Sequence, residues 1–592
     1  MGSSSFCPRL VIEPGVRILF QDSCGLYAQP RSKIIALGKP DSMILISALD
    51  TLKHWRGVHL NNSHPSDTSR LEYCEISYGG RSLSYPLDAG RGNLALSNNK
   101  GIFILKNCRI SRSMSYGVGD AHLFETDTCI SIVQDNIFYA NDSFPLIIST
   151  TELGECKRNQ FIDHRYNAIL VRGGGEINKG FSIENQGVAY VIDCGLVLNG
   201  KADAPAQLII SPGNIFRFRN QSFSINRYGV LKAKGVTFTA YDSIWYGMKF
   251  LDAKSDASVL DSCIIEKARV YGGVWPGGGV DISNSSVRIR NSAITNNKIG
   301  VCIAGMSRGD LTNNLIMQNG IGIKAFDCRA DSLYIKRNDF LGNRCAFTMH
   351  YLYPFINADS NWWGDATGPW DPSGGVPDYN PSGRGDSIGD YVVYRPWLIS
   401  SVQPAVVKLL QPNGGEVLFP GEDYEIRWRQ EASVGILRQE LYYTTDFPEA
   451  GKADAFWRFV DTVPVSDASY IWKVPYMPST RCRISIKVYY DEGKFQNQNT
   501  NFQTKMAKSG YESQGMIAID MSDSNFTIPL ATDFSLATAY NNGHKILTSP
   551  MGNKVHFVYA NEGWTMPPGI FYLISSDSGK TFTLSKNISY QG

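Results

Sequence analysis

One spacing constrains this chain more than any other feature: an asparagine recurs with a large apolar residue close behind it. The instances are Asn136-Ile-Phe138, Asn159-Gln-Phe161, Asn291-Ser-Ala-Ile294, Asn314-Leu-Ile316, Asn338-Asp-Phe340 and Asn361-Trp-Trp363. Within each cluster the steps are 23 or 24 residues, and Asn107-Cys-Arg-Ile110 precedes Asn136 by 29, which reads as a loop insertion. Such a unit is too short for a helix pair and lacks the fixed frame of a leucine-rich repeat. It fits one coil of a parallel β-helix, each coil stacking on the last at about 4.8 Å. Alternate residues then point inward and pile apolar side chains into columns. Asparagine suits the corners: it tolerates the left-handed conformation, and its amide can bond along the stack.

A longer repeat lies over the short one. Leu10-Val-Ile-Glu-Pro-Gly15 matches Leu208-Ile-Ile-Ser-Pro-Gly213, and Trp55-Arg-Gly-Val58 matches Trp245-Tyr-Gly-Met248. Tyr73-Cys-Glu-Ile76 matches Ser262-Cys-Ile-Ile265; the three offsets are 198, 190 and 189. The rod therefore reads as two consecutive halves. Residues 11–365 give about 15 coils, a rod on the order of 70 Å long.

The end of this region is the most specific piece: Asn361-Trp362-Trp363-Gly364, Thr367-Gly-Pro369, Gly385-Asp386 and Tyr394-Arg-Pro396-Trp397-Leu398. It resembles the terminal cap of bacterial right-handed parallel β-helix proteins of the surface and secreted kind. Trp362, Trp363, Trp370 and Trp397 are expected to lid the open apolar column. The resemblance covers about two thirds of the chain. It implies the fold, but that fold carries lyases, hydrolases, adhesins and inert spacers alike.

After Gln403-Pro404 the period stops. Gln411-Pro-Asn-Gly-Gly-Glu416 is a turn signal, and strand-like runs follow at Tyr424–Trp428, Glu440–Thr444, Tyr470–Pro475 and Cys482–Ile486. This spacing reads as a β-sandwich. It resembles a bacterial immunoglobulin/fibronectin-like module, with Trp428 and Trp472 as core residues. In the last 60 residues, Ser575-Ser-Asp-Ser-Gly-Lys-Thr-Phe582 resembles the Asp-box turn of sialidase-like β-propellers. Ser575, Asp577, Gly579 and Thr581 would then hold a hairpin turn, a structural task. The room left suffices for barely one blade. The expected organisation is all-β: a right-handed single-stranded parallel β-helix over 1–400 with a Trp-rich cap, a sandwich over 401–528, and a partial propeller-like segment over 529–592.

Composition narrows the function classes. Among 592 residues, 57 Lys+Arg oppose 55 Asp+Glu, a net charge of +2, which argues against a strongly basic nucleic-acid footprint. Hydrophobic residues at 43% exclude global disorder. No apolar run reaches the roughly 18 residues of a membrane span. The twelve cysteines form no C-x-x-C pair and no histidine stands at ligand spacing, so no metal site is expected. Calcium at the coil loops has no D-x-D-x-D-G run behind it. Cys74, Cys108, Cys263, Cys302 and Cys345 lie in apolar runs and read as small core residues. The start, Met1-Gly-Ser-Ser-Ser-Phe-Cys-Pro8, shows no export signal, and the chain is read as a monomeric fragment of an extracellular or cell-surface protein.

Candidate chemistry is sparse. Phe161-Ile-Asp163-His164 resembles the W-I-D-H segment of pectate lyases, which makes Asp163 and His164 the catalytic candidates. The companion R-x-P-x-x-R stretch is missing, and both residues fall at a turn, where a structural role is the simpler reading. Carboxylates cluster at Asp252, Asp256 and Asp261 and again at Asp327, Asp331 and Asp339. Hydrolysis would require two of them about 5–9 Å apart. Aromatic residues near Gly/Ser turns give a better binding hypothesis, chiefly Tyr116, Tyr246, Tyr271 and Trp275, since aromatic faces on a stiff rod stack on sugar rings. The leading expectation is a non-catalytic protein that binds a polysaccharide or cell-surface glycan, or serves as structure. The competing expectation is a polysaccharide lyase or glycoside hydrolase acting on an acidic polysaccharide.

Overall fold

The structure is a computed structural model. It describes residues 8–587 apart from 62–63, 65–67, 82–91, 98–100, 121–129, 174–175, 243, 254–256, 270–276, 329–332, 351–354, 376, 404, 433–435, 446–456, 476, 491–515, 523, 530–545, 549–554, 562–568 and 576–582. From residue 546 onward only the backbone is described. The chain divides into two compact units, the first running through Val402 and the second beginning at Gln403.

The first unit is a right-handed parallel β-solenoid of about 12 turns. Five parallel sheets build it. Sheet 1 has six strands, from Arg9–Ile12 to Cys156–Lys157, and sheet 2 has six, from Arg17–Phe20 to Gln160–Ile162. Sheet 3 has thirteen, from Leu26–Ala28 to Asp339–Leu341. Sheets 4 and 5 have seven each, from Phe181–Ile183 to Leu333–Lys336 and from Leu196–Leu198 to Cys345–Met349. Sheets 1 and 2 end where 4 and 5 begin, and sheet 3 passes through that junction by pairing Ala168–Val171 with Ala189–Ile192.

The period-2 pattern explains the strands. In Ser286–Arg290, Val287 and Ile289 are fully buried while Arg288 between them is exposed. Inward residues of all coils merge into one apolar core that runs the length of the rod. There are fewer coils than the 15 expected, because several are longer than the 23-residue unit. A bond between strands spans 35 residues from Ile34 to Ser69, and corner-to-corner bonds span 34 from Cys74 to Cys108 and 28 from Cys108 to Asn136. They span 22–24 only in stretches such as Ser292–Asn314–Asn338–Asn361.

The internal repeat has a geometric meaning. Gly15 (φ +77°) turns the chain from sheet 1 to sheet 2, and Gly213 (φ +82°) turns it from sheet 4 to sheet 3. Trp55 and Trp245 enter the next strand in the same way. Each is fully buried, stacks on a phenylalanine (Phe20 at 4.5 Å, Phe218 at 4.7 Å) and donates its indole N–H to a carbonyl of the following coil. Gly57 and Gly247 follow them in the left-handed region, where a Cβ would run into the carbonyls of Gly92 and Gly278. The second half thus repeats the first, shifted by one sheet about the axis.

The solenoid ends in a cap. Trp363 is fully buried and stacks on Phe340 at 4.6 Å and 11°. Tyr394 meets it edge-on and donates its hydroxyl to Asp371 at 2.9 Å. Trp397 packs over Gly368 and donates to the Ala366 carbonyl. The Arg395–Pro396 bond is cis. Trp362 is half-buried, and Trp370 is 47% exposed and takes no part in the lid. Its strand pairs at the margin with Gly385–Ser387, which turns the ring to solvent.

The second unit contains antiparallel sheets. One has three strands, Ala405–Gln411, Asp423–Ala432 and Ser469–Lys473. Another has five, from Arg458–Val463 through Ile436–Thr444, Ser479–Tyr490 and Met516–Met521, with Phe526–Ile528 on Ser479–Tyr490. Trp428 and Trp472 are buried; Trp428 donates to Gln439 Oε1 and Trp472 packs on Tyr443 and Phe526. Beyond them lies a four-stranded meander, Ile546–Thr548, Val555–Asn561, Gly569–Ser575 and Thr583–Asn587. Ser575 ends its third strand, while Asp577, Gly579 and Thr581 lie outside the described residues.

Candidate functional site

The corners of the solenoid decide which polar residues are committed to structure. Two neighbouring residues share each corner task. The first adopts the left-handed conformation: Asn107, Asp135, Arg158, Asn291, Asn313 and Arg337 all have φ between +51° and +59°. The second is buried and bonds to the next coil. Asn314 illustrates it. Its backbone N–H and its Nδ2 both donate to Asn338 Oδ1 at 3.0 Å, and Nδ2 also donates to the Ile289 carbonyl at 2.8 Å. Asn107 and Asn291 are therefore left-handed residues, and Cys108 and Ser292 beside them hold the ladder positions.

Two such ladders climb the rod. One runs Cys74, Cys108, Asn136, Asn159, Gln186, and resumes at Cys263 through Ser292, Asn314 and Asn338 to Asn361. The thiol replaces the amide at Cys74, Cys108 and Cys263, which explains these cysteines as buried corner residues. All ten described cysteines are free thiols. The other ladder runs Ser113, Asn141, His164 in the first half and Ala268, Asn297, Asn319, Asn343 in the second. Asp386 terminates it, its carboxylate accepting the backbone N–H groups of Gly342 and Asn343 and the Asn343 amide at 2.7–2.8 Å. Burial pushes the Asp386 carboxyl up to about 6.

Asp163 and His164 fall into this scheme. Asp163 (φ +57°) is the exposed left-handed residue and His164 is the buried ladder residue. The Asn141 N–H donates to His164 Nδ1 at 3.1 Å, so Nδ1 is the acceptor and the ring is neutral with its proton on Nε2. Nε2 is buried without a hydrogen-bond partner. Burial lowers the His164 pKa to about 4, opposed first by the backbone at Phe138 and then by the Asp163 charge.

The remaining candidates are scattered. Tyr116 is half-buried, against an apolar cluster on the outer face of sheet 3 that includes Ile147, Leu170 and Val191. Tyr246 is half-buried beside Trp245. Tyr271 and Trp275 lie outside the described residues, as do Asp256 and Asp331. Asp261 is held by Arg290 and by Asn291 Nδ2 on sheet 4, whereas Asp339 on sheet 3 takes Ser401 and the Val402 N–H. The carboxylates are thus divided between faces. Among the described residues no group of three or more His, Cys, Asp or Glu is placed to hold a metal ion.

The outer face of sheet 4 holds a site that the sequence reading passed over. A cleft of about 340 Å³ lies over Ser286, Arg288, Arg308, Asp310 and Tyr334. Arg288, Asp310 and Tyr334 are in register on consecutive strands, and Arg308 lies on the same face two residues before Asp310. Tyr334 is 52% exposed. Asp310 Oδ1 is buried without a partner. The signal was available: residues 288, 310 and 334 each stand four places before a ladder residue, Ser292, Asn314 and Asn338.

Residues 223–362 match the family model described as "Right handed beta helix region". That stretch contains the cleft and the regular part of both ladders. No curated protein and no solved structure matches the chain. The fold is consistent with a surface or polysaccharide-related protein. Among the described residues no helix is long and apolar enough to cross a membrane.

Proposed function

We propose that this protein is a non-catalytic glycan-binding rod of the cell surface or extracellular space. One observation carries the reading: the sheet 4 cleft sets an exposed tyrosine beside arginines and a carboxylate with an unpartnered oxygen. An aromatic ring flanked by a few convergent polar groups is the usual make-up of a sugar site. A stiff parallel coil keeps those groups fixed, so little ordering cost falls on binding.

In the same reading, residues 401–528 form an immunoglobulin/fibronectin-like sandwich and 529–592 the start of a blade-like unit, both accessory modules that follow the rod in the sequence. The tryptophans between the antiparallel sheets support the first, and the four-stranded meander supports the second. In the competing reading as a lyase, Asp163 or His164 would move the protons. The use of His164 Nδ1 as a ladder acceptor and the depressed pKa weigh against it as a base near neutral pH.

The test is retention of the whole chain on a panel of immobilised neutral and acidic polysaccharides in 150 mM salt. The expected result is retention on at least one, weakened by Tyr334→Ala. No retention on any member would overturn the reading.

A further inference from the structure

We infer that the cleft over Asp310 is a subsite for an acidic sugar, a hexose ring bearing a carboxylate, within a longer glycan. The inference deepens the glycan-binding reading and rests on it.

Asp310 forms the floor. Its Oδ1 is buried and accepts nothing from the protein. Such an oxygen calls for a donor, and a sugar hydroxyl is one. On one side, Arg288 is Asp310's register partner. Arg308 projects from the same strand, exposed and without an ion pair among the described residues. A guanidinium fork matches a carboxylate bidentately. On the other side, Tyr334 is also in register with Asp310 and is half-exposed; Lys336 lies over its ring at 5.7 Å, so a pyranose would take the ring's other face.

Together the three groups select the ligand class. A neutral sugar would use Asp310 and Tyr334 and leave Arg308 without a partner. A phosphodiester chain would use the arginines but bring its charges against the Asp310 carboxylate. An acidic sugar uses all three. The register row continues from Arg288 through Val259 to Lys232, so a second cation lies along the rod axis on the same face, roughly 10 Å away at two strand steps. A glycan lying along the axis would meet both. In the neighbouring row the cations are already engaged: Arg290 faces Asp261 and Lys336 pairs with Asp359 at 2.9 Å. Arg308, at the cleft, has no ion pair among the described residues.

The experiment uses the whole chain, with alginate and hyaluronan as probes, each beside its carboxyl-reduced neutral form, plus single-stranded DNA. Affinity is read by titration in 150 mM salt. The expected result is binding of at least one acidic polymer, at least tenfold weaker binding of its reduced form, and at least tenfold weaker binding by Arg308→Ala. Arg308→Lys, which keeps the charge and loses the fork, is expected to fall between. Thermal unfolding checks that each variant is folded, and Asp310→Ala supplies a second probe on the same strand.

If the reduced polymers bind as well as the acidic ones, or if Arg308→Ala and Asp310→Ala both bind normally, this subsite is wrong while glycan binding stands. If DNA binds as tightly as the acidic glycan, the face is a plain electrostatic surface and the inference falls. If no polymer binds, both this inference and the broader reading fall.

Discussion

The backbone amide of Asn141 donates to His164 Nδ1 across 3.1 Å. In the coil before it an asparagine oxygen receives the matching bond, Asn141 Oδ1 from Ser113, and in the second half Asn319 Oδ1 does so from Asn297. His164 is therefore an asparagine substitute placed at the coil where sheet 2 ends. In the second half the same ladder ends on Asp386. Both ladder ends carry a titratable side chain in place of an amide, and both are shifted against their charged form by burial.

The first prediction concerns His164. A base whose pKa is lowered from 6.5 to about 4 on folding binds fewer protons folded than unfolded in that interval. Its contribution is fully present above about 6.5 and is lost as the pH falls through 4. His164→Asn is expected to keep the ladder bond and to flatten the slope of melting temperature between pH 6.5 and 4. His164→Ala leaves the Asn141 amide unpaired and is expected to cost about 1–3 kcal/mol at neutral pH. Equal melting temperatures for the Asn and Ala variants would contradict the ladder role.

Asp386 has the opposite sign. Its folded pKa is raised from 3.8 to about 6, so its contribution is full below 3.8 and declines as the pH rises through 6. Asp386→Asn is expected to remove that decline. The readout is the difference in melting temperature between wild type and variant from pH 4 to 7, and a constant difference would rule the assignment out.

The two corner tasks separate by mutation. Asn338→Ala strips the acceptor for both Asn314 donors and is expected to cost about 3 kcal/mol or more in urea unfolding. Asn313 supplies a left-handed turn (φ +56°) and accepts one exposed hydrogen bond, from Arg337 Nε at 3.1 Å, so Asn313→Gly is expected to change stability by no more than about 1 kcal/mol. Similar costs for the two would mean that the ladder is not the main restraint at this corner.

The cap tryptophans differ in the same manner. Trp363→Ala opens a cavity beneath Phe340 and is expected to cost about 3–5 kcal/mol, with proteolysis beginning at the cap end. Trp370→Ala, at an exposed site, is expected to cost less than about 0.5 kcal/mol. Comparable losses from both would show that Trp370 does help to close the column.

Much of the fold was legible because a solenoid writes its geometry into the sequence at a fixed period. Asn136, Asn159, Asn314, Asn338 and Asn361 marked true ladder positions. Asn107 and Asn291 were one residue off, since the left-handed residue and the ladder residue are adjacent and asparagine serves both. The coil count came out high because several coils are longer than the 23-residue unit, as in the 35-residue step from Ile34 to Ser69. The site was harder to see. Arg288, Asp310 and Tyr334 are spread over 46 residues and converge only once the register is known. Loop aromatics drew attention first because they sit beside obvious turns, whereas the cleft lies on the flat outer face of strands.

The most direct test of the account follows retention and chemistry together. The whole chain is incubated with each polysaccharide of the panel, with and without EDTA, and bound protein, reducing ends and unsaturated ends are measured in the same wells. The account predicts retention on an acidic glycan with no rise in either kind of end over the buffer control. Release of ends that disappears in Asp163→Ala, with the variant still folded and still bound, would contradict it and make the protein an enzyme.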